Sequence, residues 1–220
     1  MPLRGGSKSI RNKNILTLSG RPLYAWSLGE AVKSGVFDEI VVATDSEEIG
    51  ASVTAEFGDS VAVIDRSPAS ATDTATSEFI MLEVARSRHF DVMALIQATS
   101  PLTRADHFTE AKTQFVDQRL DSLLTAVPTS RFVWTLEGKP LNYDPASRPR
   151  RQDFAGSLVE NGAFYFTRQE TLNSTANRLG GKIGIYAMPA ETFVELDEPE
   201  DVKIIESLLA NQTDSPKSVV

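Results

Sequence analysis

Short apolar runs alternate with longer amphipathic stretches along most of the chain. The runs "EIVVAT" (39–44), "SVAVI" (60–64), "DVMALIQ" (91–97) and "SLLTAVP" (122–128) are β-branched or aliphatic and nearly continuous. Such runs suit strands buried on both faces of a parallel sheet. Between them lie stretches with helical spacing. Residues 22–34 place Leu23, Trp26 and Ala31 on one face, and 46–57 offers Ser46 as an N-cap with Glu47 and Glu48 in the first turn. Residues 74–87 and 104–118 complete the set. Strands alternating with helices predict an α/β fold, a doubly wound and mostly parallel sheet.

The alternation breaks after Pro128. Residues 129–153 are polar and rich in Arg and Pro, and read as an inserted arm. "GAFYFT" (162–167) and "GKIGIYAMP" (181–189) resume as strands, and 194–210 reads as a strand end, an acidic turn and a closing helix. One domain is expected over 1–210, followed by a flexible tail over 211–220.

Composition narrows the function classes. The 220 residues carry a net charge of −8, no cysteine and two histidines, His89 and His107. An acidic chain is a poor general partner for nucleic acid, whose binding is electrostatic. Disulfides, thiolate chemistry and Cys-ligated zinc are excluded. No apolar run approaches the roughly 18–20 residues of a membrane span, and the N-terminus has no apolar signal region. No membrane partner is expected, and the cytoplasm is the expected location. The cluster "RPRR" (148–151) also has the form of a nuclear-import patch.

Against that acidity, "RGGSKSIRNKN" (4–14) holds four basic residues, two adjacent glycines and no acid. Gly5 and Gly6 permit a tight turn whose successive N–H groups form an anion nest. Arg4, Lys8, Arg11 and Lys13 around it point to a polyphosphate. The stretch is neither a P-loop nor GxGxxG, and a solvated basic loop has the same composition. Farther along, Gln97, Thr99 and Ser100 follow a buried strand, at the sheet end where α/β ligands bind. Glu195 and Asp197 are two apart on a predicted strand, so their carboxylates share a face and suit Mg²⁺ beside a triphosphate. Asp45 ends a strand, where it serves either a ligand or a structural cap.

Six collinear segments resemble the CMP-sialic acid synthetases, the N-acylneuraminate cytidylyltransferases. "RGGSKSIRNKN" is similar to that family's A-R-G-G-S-K-G-I-P-x-K-N opening. "VVATDSEEI" (41–49), "DRSPASATDTATS" (65–77), "LIQATSPL" (95–102), "RPRRQDFAGSLVENGAFYF" (148–166) and "VELD" (194–197) follow in family order. The resemblance implies a Rossmann-like nucleotidyltransferase fold and a reaction in which CTP and an N-acylneuraminate give the CMP-sugar and pyrophosphate. It implies that Arg4, Gly5, Gly6, Ser7, Lys8, Lys13 and Asn14 cradle the triphosphate, with Arg4, Lys8, Lys13 and Asp197 acting in catalysis. Arg66 and Ser77 would contact the nucleoside. Gln97, Thr99, Ser100, Arg148, Arg151, Gln152 and Asn161 would bind the nine-carbon sugar acid, and Glu195 with Asp197 would hold Mg²⁺. The arm would serve dimerisation and line the acceptor site of a homodimer.

The pattern also departs from the family. Leu3 stands for alanine, Arg11 for proline and Glu195 for the first aspartate of the metal segment. Only "MPL" precedes Arg4, so the first strand is expected to be missing, and its neighbours exposed. The alternatives are the same chemistry on legionaminic acid, pseudaminic acid, KDN or KDO, and a catalytically inactive nucleotide-binding dimer.

Overall fold

The computed structural model describes residues 1–6 and 9–213, so Ser7 and Lys8 lie outside the described residues. In chain order, β1 (Pro2–Leu3), β2 (Thr17–Leu18) and β3 (Arg21–Pro22) precede α1 (Leu23–Ser34), β4 (Val41–Thr44), α2 (Glu47–Phe57) and β5 (Ala62–Asp65). Then come α3 (Ser77–Ser87), β6 (Val92–Ile96), α4 (Ala105–Asp117) and β7 (Ser122–Thr129). The last elements are β8 (Ser157–Arg168), α5 (Gln169–Thr175), β9 (Ile183–Ala187) and α6 (Asp201–Thr213).

Two sheets carry the fold. β1, β4 and β5 form one in the order β1-β4-β5, all parallel, and β6, β8, β7 and β9 form the other in the order β6-β8-β7-β9. β8 runs antiparallel to both its neighbours, whereas β9 is parallel to β7. Alternation along the strands divides the core between two helical layers. Ile96, Phe164 and Phe166 meet Phe108, Ala111 and Phe115 of α4, while Leu95 and Tyr165 meet Met81 of α3 and Leu172 of α5. This is the double winding that the runs predict.

The first strand, expected to be missing, is present in short form. Pro2 and Leu3 pair with Ala43 and Thr44, and Met1 O accepts from Ala43 N at 3.1 Å. Leu3, Val42 and Ile96 are buried, so the neighbouring strands are covered at that level, whereas Val92 at the start of β6 stays exposed. A cavity of about 500 Å³ beyond Met1 is lined from both sheets, by Ile40, Val41, Val92, Leu95 and Phe166 among others.

Three further expectations are corrected. The "VELD" segment belongs to no strand: its one backbone link to the sheet region is Leu196 N to Thr99 O, 2.8 Å. A short helix, α5, forms where no periodicity announced one. The closing helix continues to Thr213, so residues 211–213 are helical, and the rest of the predicted tail lies outside the described residues.

Candidate active site

The basic loop leaves β1 at the carboxyl end of the first sheet. Arg4 follows Leu3 directly, and Gly5 N donates to Asp45 Oδ1 at 2.8 Å, just past the end of β4. Glycine is needed there because a Cβ on Gly5 would lie 3.0 Å from the Ser46 Cβ. Ser46 is itself fixed as the N-cap of α2, its Oγ accepting from Ile49 N at 3.3 Å. The loop returns through a 3₁₀ turn at Lys13–Ile15. From that turn Asn14 Nδ2 donates to Arg4 O at 2.9 Å, closing the loop on itself.

Three of the loop's donors, on Arg4, Gly5 and Lys13, face carboxylates. Arg4 Nη1 lies 2.6 Å from Asp73 Oδ1. Lys13 Nζ reaches Asp197 Oδ1 at 3.0 Å and Leu196 O at 2.9 Å. Gly6 is exposed, with open space where its Cβ would be. Arg4, Lys13 and Asn14 form one wall of a cavity of about 450 Å³. Arg66, Asp73, Thr76 and Ser77 form the opposite wall, and Gln97 also lines it. Ser77 opens α3, and Arg66 directly follows β5, with its guanidinium folded back on Ser70.

Gln97 leads from this cavity to an acidic centre. A Cβ on Gly162 would lie 3.3 Å from both Glu195 carboxylate oxygens and 3.6 Å from Gln97 Nε2, so these groups converge on the glycine. Gly162 has φ +63° and sits where the pairing of β7 with β8 slips. Its left-handed backbone bends the strand and admits the Glu195 side chain. Burial pushes Glu195 up to about 7, the Asp197 and Glu160 carboxylates act in the same direction, and Lys13 opposes them. Glu160 accepts from the Tyr165 hydroxyl. Two neighbouring carboxylates, one of them poorly solvated, would suit a divalent cation. Among the described residues no group of three or more His, Asp or Glu side chains gathers as a metal site.

The other candidates sit elsewhere. Thr99 contributes its carbonyl to Leu196, and Ser100 is buried with its Oγ unpartnered. Asn161 points into the interior, where Nδ2 donates to Thr192 O at 3.1 Å and Thr192 Oγ1 at 3.2 Å. Arg148 stands on the arm with its guanidinium 4.6 Å from the Phe132 ring centre, and Arg151 Nε donates to Ser130 Oγ at 3.2 Å. Gln152 is exposed. None of these six lines the cavity. The reading of the sequence missed Asp73 as the partner of Arg4. The pair spans 69 residues, and no local signal connects its halves.

Comparison with known proteins agrees with this geometry. The family described as cytidylyltransferase matches residues 1–215. N-acylneuraminate cytidylyltransferase A of Danio rerio is 40% identical over 92% of this chain and 48% of its own length. The chain thus spans about half the length of the N-acylneuraminate cytidylyltransferases it matches. Post-translational flagellin modification protein B of Campylobacter coli is 30% identical over 94% of this chain and 92% of its own. A solved CMP:2-keto-3-deoxy-manno-octonic acid synthetase complexed with CTP superposes with a TM-score of 0.71 at 19% identity, covering 96% of this chain and 97% of that one. The last likeness concerns the fold; the family match over residues 1–215 shows membership, and the chain belongs to the cytidylyltransferase family.

Proposed function

We propose that the chain transfers the cytidylyl group of CTP to an N-acylneuraminate, releasing pyrophosphate. The observation that carries this reading is the continuous path from a cation-lined cavity, through Gln97, to the Glu195–Asp197 pair. The relatives named for N-acylneuraminate activation support the choice of acceptor.

In this reading the triphosphate exchanges places with the carboxylates that now face Arg4, Gly5 N and Lys13. Those donors neutralise the charge that grows on pyrophosphate as the bond between the α-phosphorus and its bridging oxygen breaks. Arg66 and Ser77 hold the nucleoside from the opposite wall. Gln97 at the strand end orients the sugar so that its anomeric oxygen attacks the α-phosphorus, the rate gain coming from position and field. Glu195 and Asp197 would hold Mg²⁺, which when bound polarises the phosphate oxygens.

The second copy of a homodimer would pack against the arm. Leu136, Leu141 and Trp134 there are 103%, 63% and 46% exposed, an apolar surface a partner would cover. No helix of the described residues is long and apolar enough to cross a membrane. A chain without cysteine needs no oxidising compartment, and the cytoplasm is the location we propose.

Pyrophosphate release with CTP, Mg²⁺ and N-acetylneuraminate tests the reaction. Release that requires all three and stops with EDTA is the expected result. Release with only legionaminic acid, pseudaminic acid, KDN or KDO moves the acceptor and keeps the chemistry. CTP binding without release for any sugar overturns the enzyme and leaves a nucleotide-binding protein. Light scattering checks the dimer against twice the 24.0 kDa chain mass.

A further inference from the structure

Arg66 lines the nucleotide wall of the cavity, but its own loop decides where it points. The guanidinium bonds back to Ser70, Nε reaching Oγ at 3.4 Å and Nη2 the main-chain carbonyl. Ser70 is fully buried. It is held in turn by Ser67: its N donates to Ser67 O at 3.0 Å and to Ser67 Oγ at 3.2 Å, and its Oγ donates to Ser67 O at 3.0 Å. Ser67 is anchored from outside the loop. Glu83, on α3, accepts from Ser67 N through Oε1 at 3.0 Å and from Ser67 Oγ through Oε2 at 3.2 Å. Both carboxylate oxygens therefore hold Ser67, and the Ser70 hydroxyl also bears on Glu83. Glu83 does not itself line the cavity.

We propose that Glu83 is a positioning residue for nucleotide binding: it clamps the Ser67–Ser70 turn, and through Ser70 it fixes the direction in which Arg66 faces the nucleotide. The proposal rests on the cytidylyltransferase reading above. Its physical basis is preorganisation. A free arginine side chain must be ordered when it meets its ligand, and one already held by its loop is not. Charge adds to this. Burial holds the Arg66 guanidinium below its ordinary value, and Asp45 and Glu83 oppose that while Arg4 adds to it. Two guanidiniums share the cavity, and Glu83 joins Asp45 and Asp73 as the anions that make their proximity tolerable. Burial acts to raise Glu83, but Ser70, Ser67 and Arg66 together leave it below the usual carboxylate range, so it stays ionised at neutral pH.

The test is CTP affinity by calorimetry on the full chain without sugar, with thermal melting to confirm folding. Glu83→Ala is expected to weaken CTP about five- to tenfold, the scale of ordering one long side chain. Glu83→Gln keeps an acceptor for Ser67 N and is expected to recover part of that loss. In turnover, KM for CTP rises while kcat and KM for the sugar stay within about twofold. The double variant Arg66→Ala/Glu83→Ala separates this role from general support of the fold: once Arg66 is gone, losing Glu83 changes CTP affinity less than about twofold. Fully additive losses, or equal falls in all kinetic constants, overturn the proposal. Should Glu83→Ala not fold, Glu83→Gln alone and on Arg66→Ala gives the same cycle. A wild-type chain that binds no CTP overturns both this inference and the functional reading. A wild type that binds CTP as well as Glu83→Ala does overturns this inference alone.

Discussion

Glu195→Gln is expected to make the folded protein more stable at pH 8 than the wild type. The folded chain raises Glu195 from 4.5 to about 7, chiefly through burial, with Asp197 and Glu160 adding repulsion. Each unit is worth about 1.4 kcal/mol, so holding this group ionised costs about 3 kcal/mol of folding stability. The direction follows from linkage. Below 4.5 both the folded and unfolded chains carry the proton and nothing is lost. Between 4.5 and about 7 the unfolded chain gives it up more readily, and stability falls as pH rises. Above about 7 the full penalty stands. Glutamine keeps the shape and never ionises, so it escapes the penalty. For a domain of this size, about 3 kcal/mol corresponds to roughly 6–12 °C in Tm at pH 8. By pH 5 the gap should shrink to under about 1 kcal/mol. Melting both proteins by circular dichroism at pH 5, 6, 7 and 8, with EDTA present, reads the effect. A variant no more stable than wild type at pH 8, or a gap constant across this range, would refute the burial argument. The expected partner of that stability is lost turnover, the trade-off seen where a site holds an unfavourable charge for function.

Two further outcomes follow from contacts at the site's edges. Gly5→Ala places a methyl 3.0 Å from the Ser46 Cβ and shifts the loop off Asp45, so CTP affinity should fall about tenfold with little change in Tm. Glycine is also a tolerable N-cap, so adding Ser46→Gly should restore most of that affinity, and failure to do so would place the fault elsewhere. Arg178 Nε lies 2.6 Å from Glu78 Oε1, both side chains being under a quarter exposed, and its guanidinium sits 4.7 Å from the Tyr165 ring centre. Arg178→Met strands that carboxylate and should cost about 2–3 kcal/mol by urea unfolding, whereas Glu78→Gln/Arg178→Met should cost less than the single change.

The parallel strands were legible because burial on both faces leaves little freedom in composition. "EIVVAT" and "SVAVI" became β4 and β5, each within two residues of the expected start. Helix α2 declared itself through Ser46 and two acids, and the structure uses that cap. α3 starts at Ser77, three residues after the expected start, because Thr76 is still extended in the N-cap position. α5, "QETLNST", is seven residues with only Thr171 and Leu172 buried, too short and polar to show a period. "VELD" has a strand-like pattern, since buried Leu196 separates two acids, but a single backbone bond to Thr99 does the work of a ladder. Arg148 reads as a carboxylate ligand by residue type. In the fold it stacks on Phe132, beside Tyr143, a partnership only the closed arm creates.

The basic opening of an acidic chain also has its explanation in long-range contacts. Arg4 meets Asp73, Gly5 N meets Asp45, and Lys13 meets Asp197, at separations of 69, 40 and 184 residues. The cradle is thus neutralised by acids that arrive from three distant segments. Without them, clustered cations would repel one another and strain the turn that Gly5 makes. Exposed pairs of this kind are worth only about 0–1 kcal/mol each, little enough for a triphosphate to displace. A phosphate chain offers more charge and more acceptor oxygens than the carboxylates it replaces. Under the proposed reaction the donors would stay directed at one place in both states, and binding would exchange their partners without reorienting them. Asp197, released in that proposed exchange, would lie beside Glu195, the lost ammonium contact leaving two carboxylates to repel each other. That pair is least stable when the nucleotide is in place, which is when a divalent cation would have the most to gain by joining it.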